Sequence, residues 1–257
     1  MFRVATYNVL ATAYIRARFY AHCDPAHLAP GWRVPALVQH CAALDADLIG
    51  LQEVERDVCA ALEAALSPRG YAGSYAPKGG GKPDGCATFW RRAVFSLRRS
   101  ECLAYADGSD HIAQLILLEH AGRPIGLANT HLKWAPPGET NDLEQIRELL
   151  GALSSPRWAG ADWIICGDFN AKPDSPVLAA LEAAGYRPSH AGERQGFTAN
   201  PNCAAKTIDY LCHRAGLRSS PVPLPRIDDR TPLPSVEQPS DHLAVIADFA
   251  PAQSGIC

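Results

Sequence analysis

Hydrophobic residues along the chain follow two patterns, short apolar or alternating runs and apolar positions at helical spacing. The short runs predict β-strands, since side chains alternate between the two faces of a strand. The predicted strands are Phe2–Tyr7, Asp47–Gln52, Tyr71–Tyr75, Ala87–Trp90, Val94–Leu103, His111–Glu119, Pro124–Thr130, Trp163–Gly167, Thr207–Cys212 and Leu243–Phe249. The helical spacing predicts helices at Trp32–Leu44, at Val54–Leu66, around Leu143–Leu150 and after Ser175. Because strands alternate with helices in both halves, we expect an α/β fold with two packed sheets covered by helices.

Local signals indicate the ends of two helices and one long loop. Asn141, with Glu144 three residues later, resembles a capping box. Ser175 is a good N-cap followed by a proline, and Gly185 stands where this helix should end. The proline-rich stretch 221–239 predicts a surface loop that either serves, and could gate, a site or acts as a mobile connector.

Length and charge restrict the organisation and the partners. The 257 residues show no internal repeat and no linker-like segment before residue 215, so we expect one domain spanning residues 1–257. The net charge is -3, with Lys and Arg scattered along the chain. Non-specific binding to nucleic acid needs a basic surface, so we expect no stable binding of duplex DNA. A polyanionic substrate must then be held by local positive charge or by a metal ion.

Cysteine usage and apolar runs indicate the compartment. The nine cysteines are dispersed, without a C-x-x-C pair or zinc spacing, which favours reduced thiols in a cytoplasmic protein over a disulfide framework. The N-terminus leads directly into the strand-like Phe2–Tyr7, without the pattern of a signal peptide. No apolar run reaches the ~18 residues that span a bilayer, so we expect no membrane association.

The polar residues that suggest chemistry stand at the ends of predicted strands. They are Asn8, Glu53, Asn129, His131, Asp168, Asn170, Asp209, Asp241 and His242. Residues i and i+2 of an extended segment point the same way, so Asn129 shares a face with His131, and Asp168 with Asn170. Adjacent residues diverge, which makes Asp241 a poor partner for His242. Asp209, on another strand, is the better candidate to orient His242.

This set of side chains suits phosphoryl chemistry with a hard cation. Mg²⁺ takes oxygen ligands, usually one or two carboxylates with waters and a substrate phosphate. Glu53 supplies a carboxylate and Asn8 an amide oxygen or donor. Asp168 could orient or deprotonate a water, while His242 stabilises charge or assists proton transfer. A further two side chains, Asn170 and His131, could hydrogen-bond the phosphoryl oxygens.

Each of these residues also has a simpler explanation. An Asp or Asn at a strand end is usually a turn or cap residue, by roughly four to one for any single residue. Glu53 could simply begin the following helix, where a carboxylate suits the helix dipole. A functional interpretation becomes the better one only because all of these polar residues occur together, in one fixed order along the chain.

That order resembles the endonuclease/exonuclease/phosphatase superfamily, which includes exonuclease III, pancreatic deoxyribonuclease and inositol polyphosphate 5-phosphatases. The matching stretches are Thr6-Tyr7-Asn8, Leu51-Gln52-Glu53, Asn129-Thr130-His131, Gly167-Asp168-Phe169-Asn170, Ile208-Asp209-Tyr210 and Ser240-Asp241-His242. One such tripeptide is weak evidence, whereas six in order are strong. The resemblance implies a four-layer α/β/β/α sandwich with two central mixed sheets and a Mg²⁺ or Mn²⁺ site at one end of them.

Three segments resemble the branch that holds the carbon catabolite repressor deadenylases, nocturnin, the Angel proteins and the mitochondrial 2′-phosphodiesterase. They are Thr6–Ala11, Lys82–Phe89 and Pro239–Leu243. The resemblance implies that Glu53 is the metal ligand, with Asn8 and Asp241 beside the ion. It implies catalytic roles for Asp168, Asn170, Asp209 and His242, and a phosphate contact for His131. We also expect Asn129, on the same face as His131, to contact the substrate.

The chain differs from this branch in the segment with which the eukaryotic deadenylases bind adenine. Those enzymes carry an Asn and an aromatic residue shortly before the residue that matches Asp209. Here Asn200 or Asn202 could replace the Asn, but no aromatic residue lies between Phe197 and Asp209. A stacked base contributes ~1–3 kcal/mol, so a preference for poly(A) is not expected.

A glycine-rich loop between Lys78 and Lys82 precedes Asp84. Either lysine could contact a phosphate as a point charge, and we take Lys82 as the candidate. A hairpin turn without a role in the site explains the glycines equally well. The chain also lacks the leucine-rich repeats that recruit some deadenylases to partners, so no obligate protein partner is evident.

These observations predict a Mg²⁺-dependent phosphodiesterase or phosphatase that acts on an RNA end or a nucleotide. A 3′-5′ exoribonuclease, a 2′-5′ phosphodiesterase, a 2′,3′-cyclic phosphatase and a phosphatase for a dinucleotide cofactor all remain open. The second alternative is a lipid or inositol phosphate hydrolase, which predicts an apolar membrane-facing hairpin or a strongly basic rim. The third is a non-catalytic binding module, which predicts loss of a metal ligand or of the catalytic His.

Overall fold

Two six-stranded β-sheets pack face to face, and helices cover the outer face of each sheet. The computed structural model describes residues 1–136, 138–192 and 196–252. Sheet A contains β1 (Phe2–Asn8), β2 (Leu48–Glu55), β3 (Tyr71–Pro77), β4 (Asp84–Arg91), β11 (Leu217–Pro221) and β12 (Val245–Pro251). Sheet B contains β5 (Ser96–Ala104), β6 (Ile112–His120), β7 (Arg123–His131), β8 (Asp162–Asp168), β9 (Arg187–Pro188) and β10 (Asp209–His213). The helices are α1 (Pro30–Ala43), α2 (Arg56–Leu66), α3 (Asn141–Leu153) and α4 (Pro176–Ala183).

Three apolar clusters separate these four layers. Leu37 of α1 and Leu62 of α2 pack against the outer face of sheet A. The corresponding cluster of sheet B contains residues of α3 and α4, including Ile146 and Leu181. A third cluster lies between the sheets and joins residues such as Val4 and Ile164. The expected four-layer α/β/β/α sandwich with two mixed sheets is therefore confirmed.

Each sheet has a parallel pair of strands at its centre. Sheet A has the order β11-β12-β1-β2-β4-β3, and β1 runs parallel to β2. Sheet B has the order β5-β6-β7-β8-β10-β9, and β7 runs parallel to β8. The carboxyl ends of parallel neighbours lie at the same edge of a sheet. Strand β10 starts at that edge too, because Asp209 pairs with Asp168.

The hydrophobic pattern located ten of the twelve strands within the described residues. The two that it missed, β9 and β11, are short and lie at sheet edges. Strand β9 has only two residues, one of them a proline, and β11 reads Leu-Arg-Ser-Ser-Pro, with a single large apolar side chain. Short polar edge strands lack the alternation of a half-buried strand, so sequence pattern alone does not detect them.

One helix cap is confirmed and the other is wrong. The Ser175 hydroxyl accepts a hydrogen bond from the Leu178 backbone N–H at 3.4 Å, and Gly185 has a φ of +82° just after α4. Asn141, by contrast, is the first residue of α3 rather than its N-cap. The N-cap is Thr140, whose hydroxyl donates to Glu144 at 2.9 Å.

A polar contact joins the two sheets inside the sandwich. The Gln52 side-chain amide donates to Asn129 Oδ1 at 2.7 Å. Asn129 Nδ2 in turn donates to the backbone oxygens of Leu51 and Ala87 in the opposite sheet, at 3.1 and 3.0 Å. Gly50 makes room for this contact, since a Cβ there would lie 3.2 Å from Asn129 Cγ. The amide pair therefore fixes how sheet A sits on sheet B.

The proline-rich stretch 221–239 is an ordered loop apart from its first residue, which ends β11. Leu233 is buried within it, and the Asn200 side chain donates to the backbone oxygens of Asp228 and Thr231 at 3.0 and 2.7 Å. The loop therefore supports the segment around Asn200, and none of its residues lines the catalytic cleft described below.

Two other expectations concern the whole chain. No helix among the described residues is long and apolar enough to cross a membrane. The eight cysteines of the described ranges are all free, and six of them are buried. The ninth, Cys257, lies outside the described residues.

Candidate active site

A cleft of about 280 Å³ opens at the rim where the central strands end. Its lining residues come from both sheets and from the loops between strands: Leu10, Tyr14, Tyr20, Glu53, His131, Trp134, Asp168, Asn170, Pro201, Lys206, Ile208, Asp241 and His242. The cleft thus brings together six of the residues that the sequence pattern indicated at strand ends. Stretches as distant as residues 53 and 242 meet in it.

A β-bulge turns Glu53 towards this cleft. In the pairing of β2 with β4 the register shifts between Leu51 and Val54, so that two residues of β2 oppose one residue of β4. Glu53 has a φ of +57°, which is rare for a residue with a side chain and costs of order 1–3 kcal/mol. A bulge redirects a side chain in this way. Gln52 can therefore point between the sheets while the next side chain points to the rim.

Two donors hold the Glu53 carboxylate. Asn8 Nδ2 donates to Oε1 at 3.1 Å, and the Ala11 backbone N–H donates to Oε2 at 2.9 Å. Burial raises the pKa of Glu53 to about 7, and the neighbouring Asp241 carboxylate acts in the same direction. A nearly enclosed carboxylate with a second one facing it is a site that attracts a cation.

Asn8 connects the carboxylates of the two sheets. Its Nδ2 lies 3.0 Å from Asp168 Oδ2 as well as close to Glu53, while its Oδ1 accepts the Leu10 backbone N–H at 2.9 Å. The amide oxygen is thus engaged by the backbone. Of the two roles expected for Asn8, an amide oxygen or a donor, the structure has the donor facing the two carboxylates, and a contact with a metal ion stays a prediction.

Asp168 lies at the centre of the cleft on the last position of β8. Its Oδ1 accepts the backbone N–H of Asn170 at 2.8 Å. Burial raises the pKa of Asp168, and the neighbouring Asp209 raises it further. Gly167 before it has a φ of +140°, and a Cβ there would lie 1.7 Å from the Thr130 backbone oxygen. Only glycine permits this close approach of β8 to β7.

Asp209 orients His242, as the sequence spacing indicated. His242 Nδ1 lies 2.9 Å from Asp209 Oδ2, and that oxygen also accepts the Thr198 hydroxyl at 2.6 Å. The other ring nitrogen, Nε2, lies 3.7 Å from Asp168 Oδ2. Burial acts to lower the pKa of His242, but the surrounding carboxylates, with Asp209 first, outweigh it and raise the pKa to about 10. The ring is therefore a cation at neutral pH.

His131 is the second histidine of the cleft and has the opposite character. Burial lowers its pKa well below the usual value, and the nearby Lys78 ammonium lowers it further. Its Nε2 lies 3.0 Å from Asn170 Nδ2 and 3.6 Å from Asp168 Oδ2. Asn170 also donates to the Leu132 backbone oxygen at 2.9 Å. The ring is neutral and can offer one N–H to an anion.

Asp241 faces the same cleft from the opposite side of His242. Its Oδ2 accepts the Tyr20 hydroxyl at 3.0 Å, and its Oδ1 lies 3.9 Å from His242 Nε2. Glu53 and Asp241 are oxygen ligands of the kind that Mg²⁺ or Mn²⁺ prefers. The buried atoms of Asp168, Asp209 and His242 also lie within 4.8 Å of one another. Two members of that second group already bond each other, so the Glu53 side of the cleft fits a hard cation better.

A sequence model of the Endonuclease/Exonuclease/phosphatase family matches residues 5–242. This range includes every side chain that was indicated as a site residue. The chain belongs to this family. Its members hydrolyse phosphate esters.

Curated relatives lie within the same family. Over 196 residues the chain is 33% identical to Carbon catabolite repressor protein 4 homolog 3 of Arabidopsis thaliana, covering 71% of this chain and 43% of the relative. It is 31% identical to human Protein angel homolog 2 over 199 residues, covering 70% of this chain and 37% of the relative. It is 27% identical to bovine 2′,5′-phosphodiesterase 12, covering 97% of this chain and 51% of the relative. The chain thus spans about half the length of these relatives or less.

Solved structures have the same fold over nearly the whole chain. The structure of ANGEL2, titled a 2′,3′-cyclic phosphatase in complex with adenosine-2′,3′-vanadate, superposes with a TM-score of 0.85 at 25% identity, covering 96% of this chain and 95% of ANGEL2. The human nocturnin catalytic domain with bound sulfate superposes with a TM-score of 0.75 at 26% identity, covering 98% of this chain and 93% of nocturnin.

In this family member, two of the three expected substrate contacts do not fit the structure. Asn129 is completely buried between the sheets, where its amide bonds the opposite sheet. Asn200 is also completely buried, and both hydrogens of its amide are used by the proline-rich loop. Neither side chain can reach a nucleotide in the cleft. Spacing along a strand shows which residues lie on the same face of a sheet, but it does not show whether another sheet covers that face.

The third expected contact, Lys82, lies on the glycine-rich loop beside the cleft. Its side chain is partly buried, and its charge acts on the pKa of both His111 and His131. It is therefore near His131, although it does not line the cleft itself. A contact with substrate stays a prediction.

Sequence reasoning indicated Lys78 as a possible phosphate contact but missed that it is buried, and it missed the other buried contacts behind the cleft. Lys78 is buried and forms an ion pair with Asp84 at 2.7 Å, and the Tyr14 hydroxyl donates to the same carboxylate at 2.6 Å. Arg33 is completely buried and donates to the Val9 backbone oxygen at 2.9 Å, below the acidic part of the site. Buried charges of this kind leave little signal in the sequence, because a lysine or arginine between apolar residues usually marks an exposed face.

Proposed function

We propose that this chain is a Mg²⁺- or Mn²⁺-dependent phosphodiesterase or phosphatase that acts on an RNA end or a nucleotide. One observation carries the proposal. A buried Asp168 lies within 3.7 Å of the Asp209-oriented His242, in a cleft that also holds Glu53 and Asp241. This arrangement places a base, a cation and an acidic metal site around one small volume.

The side chains divide the hydrolysis between them. Asp168, whose pKa burial raises, accepts a proton from the attacking water. The water oxygen forms a bond to phosphorus while the bond from phosphorus to the leaving oxygen breaks. The leaving oxygen takes up a proton from solvent, and Asp168 returns to solvent the proton that it accepted. His242 holds a positive charge next to Asp168 and stabilises the negative charge that develops on the phosphoryl oxygens. Asp209 keeps the ring in position.

Two residues bind and orient the phosphate group, and a third positions the carboxylates. His131 faces the phosphate with Nε2, and Asn170 lies beside it with its side-chain amide. Asn8 holds both Glu53 and Asp168, so that the metal-binding and proton-accepting carboxylates keep a fixed separation. When bound by Glu53 and Asp241, Mg²⁺ or Mn²⁺ supplies Lewis-acid polarisation of the phosphate. These roles are proposals for each residue.

The substrate class is supported by the relatives and by the cleft. The similar proteins include one named a 2′,5′-phosphodiesterase and one titled a 2′,3′-cyclic phosphatase with a bound adenosine derivative. The cleft of about 280 Å³ is near the lower end of small-ligand pockets, which suits one nucleotide unit rather than a duplex. Trp134, with a 58% exposed side chain, and Lys206 lie on its walls and offer an apolar surface and a positive charge. The free cysteines support a reducing, cytoplasmic setting.

A substrate panel with Mg²⁺ tests the proposal. The panel contains mixed RNA, poly(A), 2′-5′ oligoadenylate, RNA with a 2′,3′-cyclic phosphate end, NADPH and sphingomyelin, with the Asp168→Asn variant as the background. We expect turnover of at least one nucleotide substrate by the wild-type protein and its loss in the variant. Cleavage of sphingomyelin alone would replace the proposal with the lipid alternative, and no turnover of any substrate would contradict it.

A further inference from the structure

Lys78 is buried directly behind His131. Its side chain is 2% exposed, and its Nζ lies 2.7 Å from Asp84 Oδ2 and 3.4 Å from His131 Nδ1. The second oxygen of Asp84 accepts the Tyr14 hydroxyl at 2.6 Å. An ammonium group has three N–H donors and no lone pair. Lys78 can therefore make a hydrogen bond to a ring nitrogen only as the donor.

Both nitrogens of the His131 ring have a donor as their nearest polar neighbour. Lys78 Nζ approaches Nδ1 at 3.4 Å, and Asn170 Nδ2 approaches Nε2 at 3.0 Å, while Glu53 Oε1 lies farther from Nδ1, at 3.8 Å. A ring that receives an N–H from a donor must offer it a lone pair, so it carries a single N–H, with one nitrogen that accepts and one that donates. One of the two approaching groups must therefore meet an N–H.

The buried charge decides between the two forms of the ring. An N–H on Nδ1 would point at the Lys78 ammonium in a site with little solvent, where repulsion is strong. The lone pair of Nδ1 would instead accept a charge-assisted hydrogen bond, roughly twice as strong as a neutral one. Asn170 depends less on the ring, because its amide already donates to the Leu132 backbone oxygen at 2.9 Å. The proton therefore belongs on Nε2.

We propose that Lys78 is a positioning residue that fixes His131 as the Nε2–H tautomer, so that the ring donates to a phosphoryl oxygen of the substrate. The effect of this tautomer on catalysis rests on the proposed function, whereas the tautomer itself does not. Nε2 is the nitrogen on the side of the cleft, 3.6 Å from Asp168 Oδ2. In the other tautomer its lone pair would face the phosphate and repel it.

The tautomer is measurable without any turnover. Nitrogen-15 NMR of histidine-labelled, Mg²⁺-loaded protein distinguishes a protonated from an unprotonated ring nitrogen, and the His131→Gln variant assigns the signal. We expect Nε2–H in the wild type, a shift towards Nδ1–H in Lys78→Met, and a return to Nε2–H in Lys78→Arg. The matched control is Lys82→Met, which removes a nearby charge that makes no hydrogen bond to the ring and leaves the tautomer unchanged.

Removing Lys78 alone leaves Asp84 buried without its cation, and the variant could unfold. The double variant Lys78→Met/Asp84→Asn removes both charges, so that the same NMR measurement can be made without an unpaired buried carboxylate. An Nε2–H signal that persists in a folded variant without the ammonium overturns the proposal. Because this readout needs no substrate, it is independent of the panel that tests the proposed function.

Kinetics separate positioning from direct contact. Gln at position 131 can donate through its own amide and has no tautomer to set. We therefore expect the double variant to lower kcat by about 10-fold in the wild-type background, which is less than the ~10²–10³-fold cost of losing a donor outright because the ring itself remains, and by much less in the His131→Gln background. An equal loss in both backgrounds shows that Lys78 acts on the substrate without the ring, and this outcome rejects the positioning role.

Discussion

His242 Nδ1 lies 2.9 Å from Asp209 Oδ2, although the two residues are 33 positions apart in the chain. The pairing determines which ring nitrogen faces the cleft, since the nitrogen bonded to the carboxylate carries a proton that stays there. Nε2 is left near Asp168, at 3.7 Å. The pKa values of His242 and Asp168 are both raised where the two side chains lie side by side, and the proposed hydrolysis depends on this contact.

Replacing His242 with Ala should abolish most turnover. We expect kcat to fall by at least ~10²-fold, because the change removes the cation that stabilises the developing charge. Circular dichroism should show an unchanged fold, since Asp209 keeps its hydrogen bond from Thr198. His27→Ala, which alters a histidine packed on Trp32 away from the cleft, serves as the control. Near-normal activity of His242→Ala would exclude the assigned role.

Metal binding should depend on Glu53. Excess chelator should remove the activity, and Mg²⁺ should raise the Tm of the wild-type protein, because a ligand bound only by the folded state at 100 times its Kd adds about 2.7 kcal/mol. In Glu53→Gln this rise should largely disappear. Differential scanning fluorimetry across a Mg²⁺ series measures the effect.

Glu55 offers a matched control for this experiment. Its carboxylate accepts the backbone N–H groups of Thr12 and Ala13, at 2.8 and 3.1 Å, and does not line the cleft. Glu55→Gln should therefore keep the Mg²⁺-induced rise in Tm. An equal rise in Glu53→Gln and in the wild type would place the metal elsewhere.

Asn129 should matter for stability rather than for binding. Asn129→Ala removes the buried hydrogen bonds that its amide makes with the backbone oxygens of Leu51 and Ala87 and with Gln52, and losing such a partner in the interior costs about 1–3 kcal/mol. Urea unfolding should show a loss of that order, while KM stays unchanged in the folded variant. Gln39→Ala, on the exposed side of α1, should change neither quantity. A raised KM with normal stability would restore Asn129 as a substrate contact.

The carboxylate of Asp107 should make stability depend on pH. Burial acts to raise its pKa, but hydrogen bonds from Ser109, Gln145 and Asn141 outweigh this and hold the pKa below its usual value. A group with a lowered folded-state pKa stabilises the protein above its unfolded value, about 3.9, and loses this effect as the pH falls through the folded value. Asp107→Asn should therefore destabilise the protein at pH 7 and much less at about pH 2.5.

Urea unfolding of both proteins at the two pH values measures this difference. Asp142→Asn, on the first turn of the neighbouring α3, provides a comparison outside the hydrogen-bonded cluster. A destabilisation by Asp107→Asn that is the same at both pH values would show that the lost charge plays no part.

Much of the fold and of the cleft follows from local sequence pattern. Strands such as β6 and β8 are apolar runs of ordinary length, and polar residues placed just after parallel strands must gather at one rim. Asp209 could be matched to His242 because neighbouring residues on a strand diverge. Those inferences use only the period of two and the position of strand ends.

Other features depend on contacts that no local pattern contains. The bulge at Glu53 arises from the register with β4, and the burial of Asn129 arises from the sheet that covers it. The ion pair between Lys78 and Asp84 spans the glycine-rich loop, and its contact with His131, which lines the cleft, depends on the packing of the two sheets. The amide orientation of Asn8 likewise follows from the Leu10 backbone N–H, which fixes its oxygen.

Strand β1 joins residues from opposite ends of the described chain, with Phe2 paired to Phe249 and Thr6 to Val245. Sheet A therefore cannot close until residues 245–249 have been synthesised and reach β1, and such distant contacts form slowly. A chain cut before residue 241 would lose His242 and the antiparallel neighbour of β1 together. Such a product would be unable to complete sheet A and would lack the histidine on which the proposed activity depends.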